Sequence, residues 1–355
     1  MTYTAGVIGF GRVGRNHAEA FLDNDDIELQ AIADADPDLV AKMGSHWNIP
    51  SCQRYDRHSE LLETERLDIV TVATPGHLHR EHVIDAVNAE QPPHVILCEK
   101  PIATSVRDAS RMVAACERAG VTLLVNHSRR FSECFQALFR LLHQTDVFGT
   151  IRSAEVVSGG ELLNIGTHYM DLLLYLLDTR VKDVRGGYVE PISSHGYTRF
   201  RGGGTFVMEN DVIATLNPAP GSADRLYLES DRGRLSMPLS IAQDADHECQ
   251  FWRIEDGLRS LTEPPEPLEA LWERDIDGVH STFEPGMVPA QPLFENAVDH
   301  IVGILNGSEH NAVPGTRAVH GLEALFGTVI SDFTGSRVVL PIEEPFRAVP
   351  LEYDI

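Results

Sequence analysis

The stretch Ala5-Gly6-Val7-Ile8-Gly9-Phe10-Gly11-Arg12-Val13-Gly14 decides the fold. Its apolar first half, Ala5–Gly9, reads as a short strand, and the residues beyond it keep helical periodicity to about Leu22. At the junction Gly9, Gly11 and Gly14 fit the spacing G-x-G-x-x-G. Gly9 permits a tight turn off the strand. Gly11 lets the backbone approach a pyrophosphate, and Gly14 allows close packing of helix on sheet. The helix that starts there offers unpaired N–H groups and a partial positive charge to phosphates.

Asp34 lies 20 residues beyond Gly14, at the end of a second strand, Ile27–Ala33. A carboxylate there accepts hydrogen bonds from an adenosine ribose and repels the extra phosphate of NADP, so NAD is the expected cofactor. The expected cradle is therefore Gly9, Phe10, Gly11, Arg12, Val13, Gly14 and Asp34. Asp36 and Asp38 read as residues that start the next helix, Pro37 to Trp47.

Further along, apolar runs keep alternating with helical patterns. Strands are expected at Ile69–Ala73, Val95–Cys98 and Val121–Val125, with helices at His77–Ala89 and Ser105–Ala119, the latter stopped by Gly120. This pattern predicts a doubly wound parallel sheet covered by helices on both faces. Ligands of such sheets sit at the carboxyl ends of the strands. The third strand ends in Thr74 and Pro75, followed by His77, His79 and His82; the fourth ends in Glu99, Lys100 and Pro101. Thr74, Pro75, His79, Glu99 and Lys100 are therefore candidate cofactor contacts. The histidines supply no complete set of metal ligands in their local run, so no metal is expected; they read as helix-start polarity and lining of the nicotinamide pocket.

After Asn126 the texture changes, which puts a domain boundary between 1–126 and 127–355. A helix near Cys134–His143, a strand at Ile151–Val157 and an apolar helix at about Asn164–Leu177 come first. Strands follow at Val181–Val189, Thr205–Met208, Val212–Leu216 and Arg225–Leu228, which predicts a large open, mostly antiparallel sheet with one helical layer. The stretch 241–291, with Trp252 and Trp272, has no readable periodicity, and two helices, Leu293–Leu305 and Thr316–Asp332, close the chain. On the apolar helix, Asn164, His168, Asp171 and Tyr175 fall at i, i+4, i+7 and i+11 and share one face. Buried polar groups need partners, so this stripe meets either partner side chains or a polar cleft.

The totals narrow the classes. The formal charge of −24 over 355 residues excludes a basic nucleic-acid-binding face. The opening MTYTAGVIGF has no basic region ahead of an apolar stretch, and no run is long enough for a bilayer-spanning helix; a cytoplasmic protein without membrane attachment is expected. Five scattered cysteines without a CxxC pair suit reduced thiols. Lysine is scarce, occurring at Lys42, Lys100 and Lys182, so a lysine inside a motif stands out.

The ordered set GFGRVG at 9–14, Asp34, ATPGHLH at 73–79, EKP at 99–101, SRRF at 128–131 and GGELLNIGTHYMDLL at 159–173 resembles the Gfo/Idh/MocA oxidoreductases, over most of the chain. The resemblance implies a Rossmann domain followed by an α/β domain whose open sheet builds homodimers or homotetramers. It implies a catalytic lysine at Lys100 and a catalytic histidine at His168. The histidine normally closes a D-x-x-x-H pattern, but here the first position is Asn164, which can hold a hydroxyl and cannot take its proton. The implied reaction is NAD-dependent oxidation of a secondary hydroxyl on a sugar, cyclitol or nucleotide sugar, by hydride transfer. An NAD-dependent redox-cycling glycosidase and a catalytically silent NAD-binding sensor are the alternatives. Arg130 reads as a substrate contact or, equally, as an ion-pair arginine.

Overall fold

Short β-branched runs flanked by helices build the first sheet. The computed structural model describes residues 2–194, 197–219, 224–239, 249–255, 258–262 and 292–354. These fall into two units: 2–131 with 292–318, and 132–262 with 319–354, as far as each is described.

The first unit holds β1 (Tyr3–Ile8), α1 (Arg12–Leu22), β2 (Ile27–Ala33), α2 (Pro37–His46), β3 (Arg54–Tyr55), α3 (His58–Thr64), β4 (Ile69–Val72), α4 (His79–Val87), β5 (Val95–Cys98), α5 (Val106–Ala119) and β6 (Thr122–Val125). Its sheet has the order β3-β2-β1-β4-β5-β6, every pair parallel. The order reverses beside β1, which places β1 and β4 at the switch point of a doubly wound sheet. Both β4 and β5 are buried at every position, as strands covered on two faces must be. Helix ends follow the sequence: Asp36 caps α2 by accepting from the N–H groups of Asp38 and Leu39, and Ser105 caps α5 through Asp108. Gly120 ends α5 in the left-handed conformation.

The chain later returns to this unit, a feature that a single boundary at residue 126 does not describe. The helix Pro292–Leu305 contributes Phe294, Val298 and Ile301 to the core that contains Val7, Phe10, Phe21 and Ile32. Residues 311–314 then cover the edge of β6: Val125 donates its N–H to the Val313 carbonyl at 2.9 Å, and Asn311 donates to the Leu123 carbonyl. An uncovered edge strand is a template for unwanted pairing, and this segment removes it.

The second unit holds α6 (Glu133–His143), β7 (Ile151–Ser158), a π-helical turn (Leu162–Gly166), α7 (Thr167–Leu176), β8 (Val181–Ser194), β9 (Tyr197–Met208), β10 (Ile213–Pro218), β11 (Arg225–Ser230), β12 (Gly233–Pro238), β13 (Gln250–Glu255) and β14 (Leu258–Thr262). With β15 (Val338–Val339) the sheet order is β14-β13-β12-β11-β7-β10-β9-β8-β15, and β16 (Tyr353–Asp354) pairs with β9. Among the described strands of this sheet, β7 and β10 are the one parallel pair. The largely antiparallel sheet is thus as expected, but it reaches further than the readable strands. β13 and β14 come from the stretch 241–291; apart from Cys249 the rest of that stretch, including Trp272, lies outside the described residues. The side chains of β11 alternate between buried and half-buried, the signature of a sheet with one packed face. On that layer the Phe139 ring of α6 stacks on Tyr175 of α7 at 4.7 Å.

Two glycines of the opening motif are sterically obligatory. Gly9 has φ +95°, and a Cβ on Gly14 would sit 1.8 Å from the Gly9 carbonyl oxygen. A Cβ on Gly11 would meet nothing within 4 Å. Gly14→Ala should therefore lower stability by about 1–3 kcal/mol, while Gly11→Ala stays within about 0.5 kcal/mol of the parent. Urea unfolding of both variants checks this; equal midpoints would contradict the packing described here.

Candidate active site

The glycine turn and the end of β2 are joined by one carboxylate. Asp34 accepts the Phe10 N–H on Oδ2 at 2.5 Å and the Asp36 N–H on Oδ1 at 3.0 Å. The Phe10 side chain is fully buried, 5.6 Å from the Trp47 ring, so Phe10 offers the turn only its backbone. Gly11 and Arg12 are exposed and Val13 is half-buried. α1 starts at Gly11 with no capping side chain and no acidic residue in its first turn. A helix start left this way, with open space over Gly11, fits an anionic pyrophosphate. The residues present therefore suit a dinucleotide.

At the end of β4, Thr74 is half-buried and Pro75 exposed. The Thr74 hydroxyl and His82 Nδ1 are 2.9 Å apart; the His82 ring lies 4.1 Å from that of His58, whose Nε2 pairs with Asp85 at 2.8 Å. Burial, together with the nearby imidazoles of His58 and His79, lowers the His82 pKa to about 4. His79 differs from the expected pocket-lining role. It is buried, and its ring nitrogens reach the carbonyls of Pro101 at 2.8 Å and Thr74 at 2.7 Å, tying the ends of β4 and β5 together. Burial drives this ring toward its neutral form, in which a single N–H donates to one of the two carbonyls, against the pull of both carbonyls and of Glu99. Among the described residues, the grouping of His, Cys, Asp and Glu close enough to share an ion is His58, Glu81 and Asp85, not the three histidines of the ATPGHLH region.

At the end of β5 the structure departs from the simple reading of a strand-end carboxylate. Glu99 is 6% exposed and turned inward. Its Oε1 accepts from His17 Nε2 at 2.7 Å and from Asn126 Nδ2 at 2.6 Å, while Oε2 accepts the Lys100 N–H at 3.2 Å. Burial works to raise its pKa, but His17, Asn126 and the Lys100 charge outweigh that, and Glu99 stays below the usual carboxylate range. Lys100 itself is half-buried at the carboxyl end of the strand. His17 carries no motif of its own in the sequence; its one signal is its position three residues after Gly14, on the face of α1 that packs inward. Arg130 is buried, and its Nη2 donates to the Ala312 carbonyl at 2.9 Å.

In the second unit, Asn164 and His168 are half-buried, as is Tyr175, while Asp171 is buried. The expected single α-helix over 164–177 is corrected in its first turn. Residues 162–166 are π-helical because the Glu161 carbonyl accepts both the Ile165 and Gly166 N–H groups, at 3.0 and 2.9 Å. The i, i+4 spacing of Asn164 and His168 thus crosses from a π to an α turn. Glu161 is held in turn by Arg199, which donates to it at 3.0 Å and to Glu352 at 2.6 Å. Neither acidic residue is near Arg199 in sequence, so the clamp has no local signature.

The parallel order of the first sheet, its glycine turn and the acid at the end of its second strand define a Rossmann-type dinucleotide-binding fold. Residues 3–127 match the family model described as an oxidoreductase family with an NAD-binding Rossmann fold. The chain is 34% identical to D-apiose dehydrogenase of Paraburkholderia graminis over 290 residues, 75% of this chain and 74% of that protein. It is 30% identical to myo-inositol 2-dehydrogenase of Thermotoga maritima over 258 residues, 65% of this chain and 73% of the relative. The chain belongs to the Gfo/Idh/MocA family of oxidoreductases. Its fold is shared by the WlbA dehydrogenase of Bordetella pertussis, solved with NADH and UDP-GlcNAcA, with a TM-score of 0.72 at 21% identity over 97% of this chain and 100% of the other. Among the described residues no helix is long and apolar enough to cross a membrane.

The depressed pKa of His82 has a sign that can be worked out. Between its ordinary value of 6.5 and about 4 the unfolded chain takes up a proton that the folded chain refuses. Stability attached to this group is therefore full above 6.5 and is lost as pH falls toward 4. Urea unfolding at successive pH values should show that loss, and His82→Gln should flatten it; an equal slope in the variant would remove His82 as its source.

Proposed function

We propose that the protein is an NAD-dependent dehydrogenase that oxidises a secondary hydroxyl of a sugar, cyclitol or nucleotide sugar. The observation that carries the cofactor choice is Asp34, an acid fixed at the glycine turn by the Phe10 N–H. Its free lone pairs suit ribose hydroxyls, and its charge opposes the additional phosphate of NADP. Support for the substrate class comes from the relatives, two of which are named for D-apiose and myo-inositol.

In this reading Lys100 hydrogen-bonds the reacting oxygen and stabilises the negative charge that develops on it. His168 takes the hydroxyl proton as general base. Asn164 orients the hydroxyl by hydrogen bonding and leaves the proton to His168, because an amide has no basic site of use here. NAD, when bound, supplies the hydride acceptor. Arg130, whose Nη2 is held by the Ala312 carbonyl, is the further candidate for a substrate contact in this reading. The protein works in the cytoplasm as a homodimer or homotetramer, in line with the resemblance to its family.

Purified protein with NAD and a panel of aldoses, inositols and UDP-sugars should form NADH with one class of substrate. Lys100→Ala and His168→Ala should each reduce the single-turnover rate by about two orders of magnitude. NADP in place of NAD should serve poorly, and Asp34→Ala should narrow that gap. Tight NAD binding with no net NADH from any substrate would favour a redox-cycling glycosidase, and release of aglycone would identify it.

A further inference from the structure

A buried network that no reaction step uses lies behind Lys100. His17 is fully buried on α1, with its ring edge-on to Phe294 at 4.8 Å. Its Nε2 is spent on Glu99, and its Nδ1 has no hydrogen-bond partner among the described residues. An orphaned ring nitrogen in a closed core costs stability, so the position is a poor choice for packing alone. What the imidazole achieves there is a hydrogen bond to one carboxylate, at 2.7 Å. That carboxylate in turn accepts the Lys100 N–H.

We propose that His17 is a positioning residue for Lys100, acting through the buried Glu99 carboxylate to hold the strand end and to keep a negative charge beside the lysine. The argument needs Glu99 ionised although it is shut away from water. A buried carboxylate keeps its charge only while enough donors face it. Here these are His17 from α1, Asn126 from the end of β6 and the Lys100 backbone. The other titratable groups facing it are His79 from α4, Cys98 on its own strand and the Lys100 ammonium. His79 is spent on carbonyls and the buried Cys98 thiol is held well above its ordinary pKa, so neither can replace the donor from α1. Without His17, Glu99 takes a proton more readily, and Lys100 loses the neighbouring anion that favours its charged form.

The meaning of this arrangement in turnover rests on the role proposed above for Lys100, but its test does not. The chain has three lysines, Lys42, Lys100 and Lys182, and only Lys100 is not exposed. Protein labelled with 13C at lysine Cε therefore gives three signals, assigned with Lys42→Arg and Lys182→Arg, whose titrations report each ammonium directly. In His17→Ala and in Glu99→Gln the Lys100 signal should titrate at lower pH by about one unit, a tenfold loss in proton affinity. Lys42 and Lys182 should not move. His17→Gln, whose amide can donate to the same oxygen, should restore most of the parent value. If His17→Ala does not fold, as judged by circular dichroism and NAD binding, His17→Asn provides the same donor loss with a polar side chain in place. In an active enzyme the alkaline limb of kcat/KM should move with the NMR titration while KM for NAD stays put. An unmoved Lys100 titration in the His17 variants overturns the proposal, even if Glu99→Gln shifts it. Shifted titration with no turnover on any substrate would instead retain the proposal and discard the dehydrogenase reading.

Discussion

The Glu99 carboxylate sits where three elements of the first unit meet, and its compensation is what holds them in register. Moving a charge out of water costs several kcal/mol, and removing one partner of a buried pair costs about 3–5 kcal/mol. His17 brings α1 to it, Asn126 brings the end of β6, and Lys100 follows it in the chain. The glycine turn begins α1 five residues before His17, so the bond that satisfies Glu99 is made by the same helix that starts at that turn. On the neighbouring strand end, His79 closes the same region by holding the carbonyls that follow β4 and β5. The glycine turn and the strand end that carries the candidate lysine are thus joined by one buried polar network, with apolar packing around it.

The second unit solves a comparable problem by other means. Its candidate base, His168, stands on α7, and the turn that leads into it is widened into a π-helix at Glu161. Such turns recur at functional sites because they redirect a side chain without breaking the helix. A widened turn needs an anchor, and Arg199 provides one by binding Glu161 and Glu352 together. The C-terminal segment thus supports the helix start through a guanidinium that bridges two carboxylates, a task for which the forked donor geometry of arginine is suited.

Several sites were legible because their chemistry is local. The G-x-G-x-x-G turn, the acid at the end of β2 and the caps of α2 and α5 depend on residues within one element or its neighbour. What escaped was long-range. His17 reads as one more polar residue on an amphipathic helix until β5 is placed beside it. His79 looks available for a ligand until the two carbonyls that occupy it are seen. Arg199 and Glu352 are 153 positions apart. Short elements such as β3 and α3 carry too few residues for any periodicity to show.

The sequence by itself determined the parallel sheet, the glycine turn at its first strand, the acid at the end of the second and the candidate residues Lys100, Asn164 and His168, because backbone sterics and side-chain period act over a few residues. Only the tertiary structure decided how those residues are held. The return of 292–318 into the first unit, the π turn before His168 and the partners of Glu99 all depend on which distant donors reach a group once it is withdrawn from water, and no local pattern encodes that.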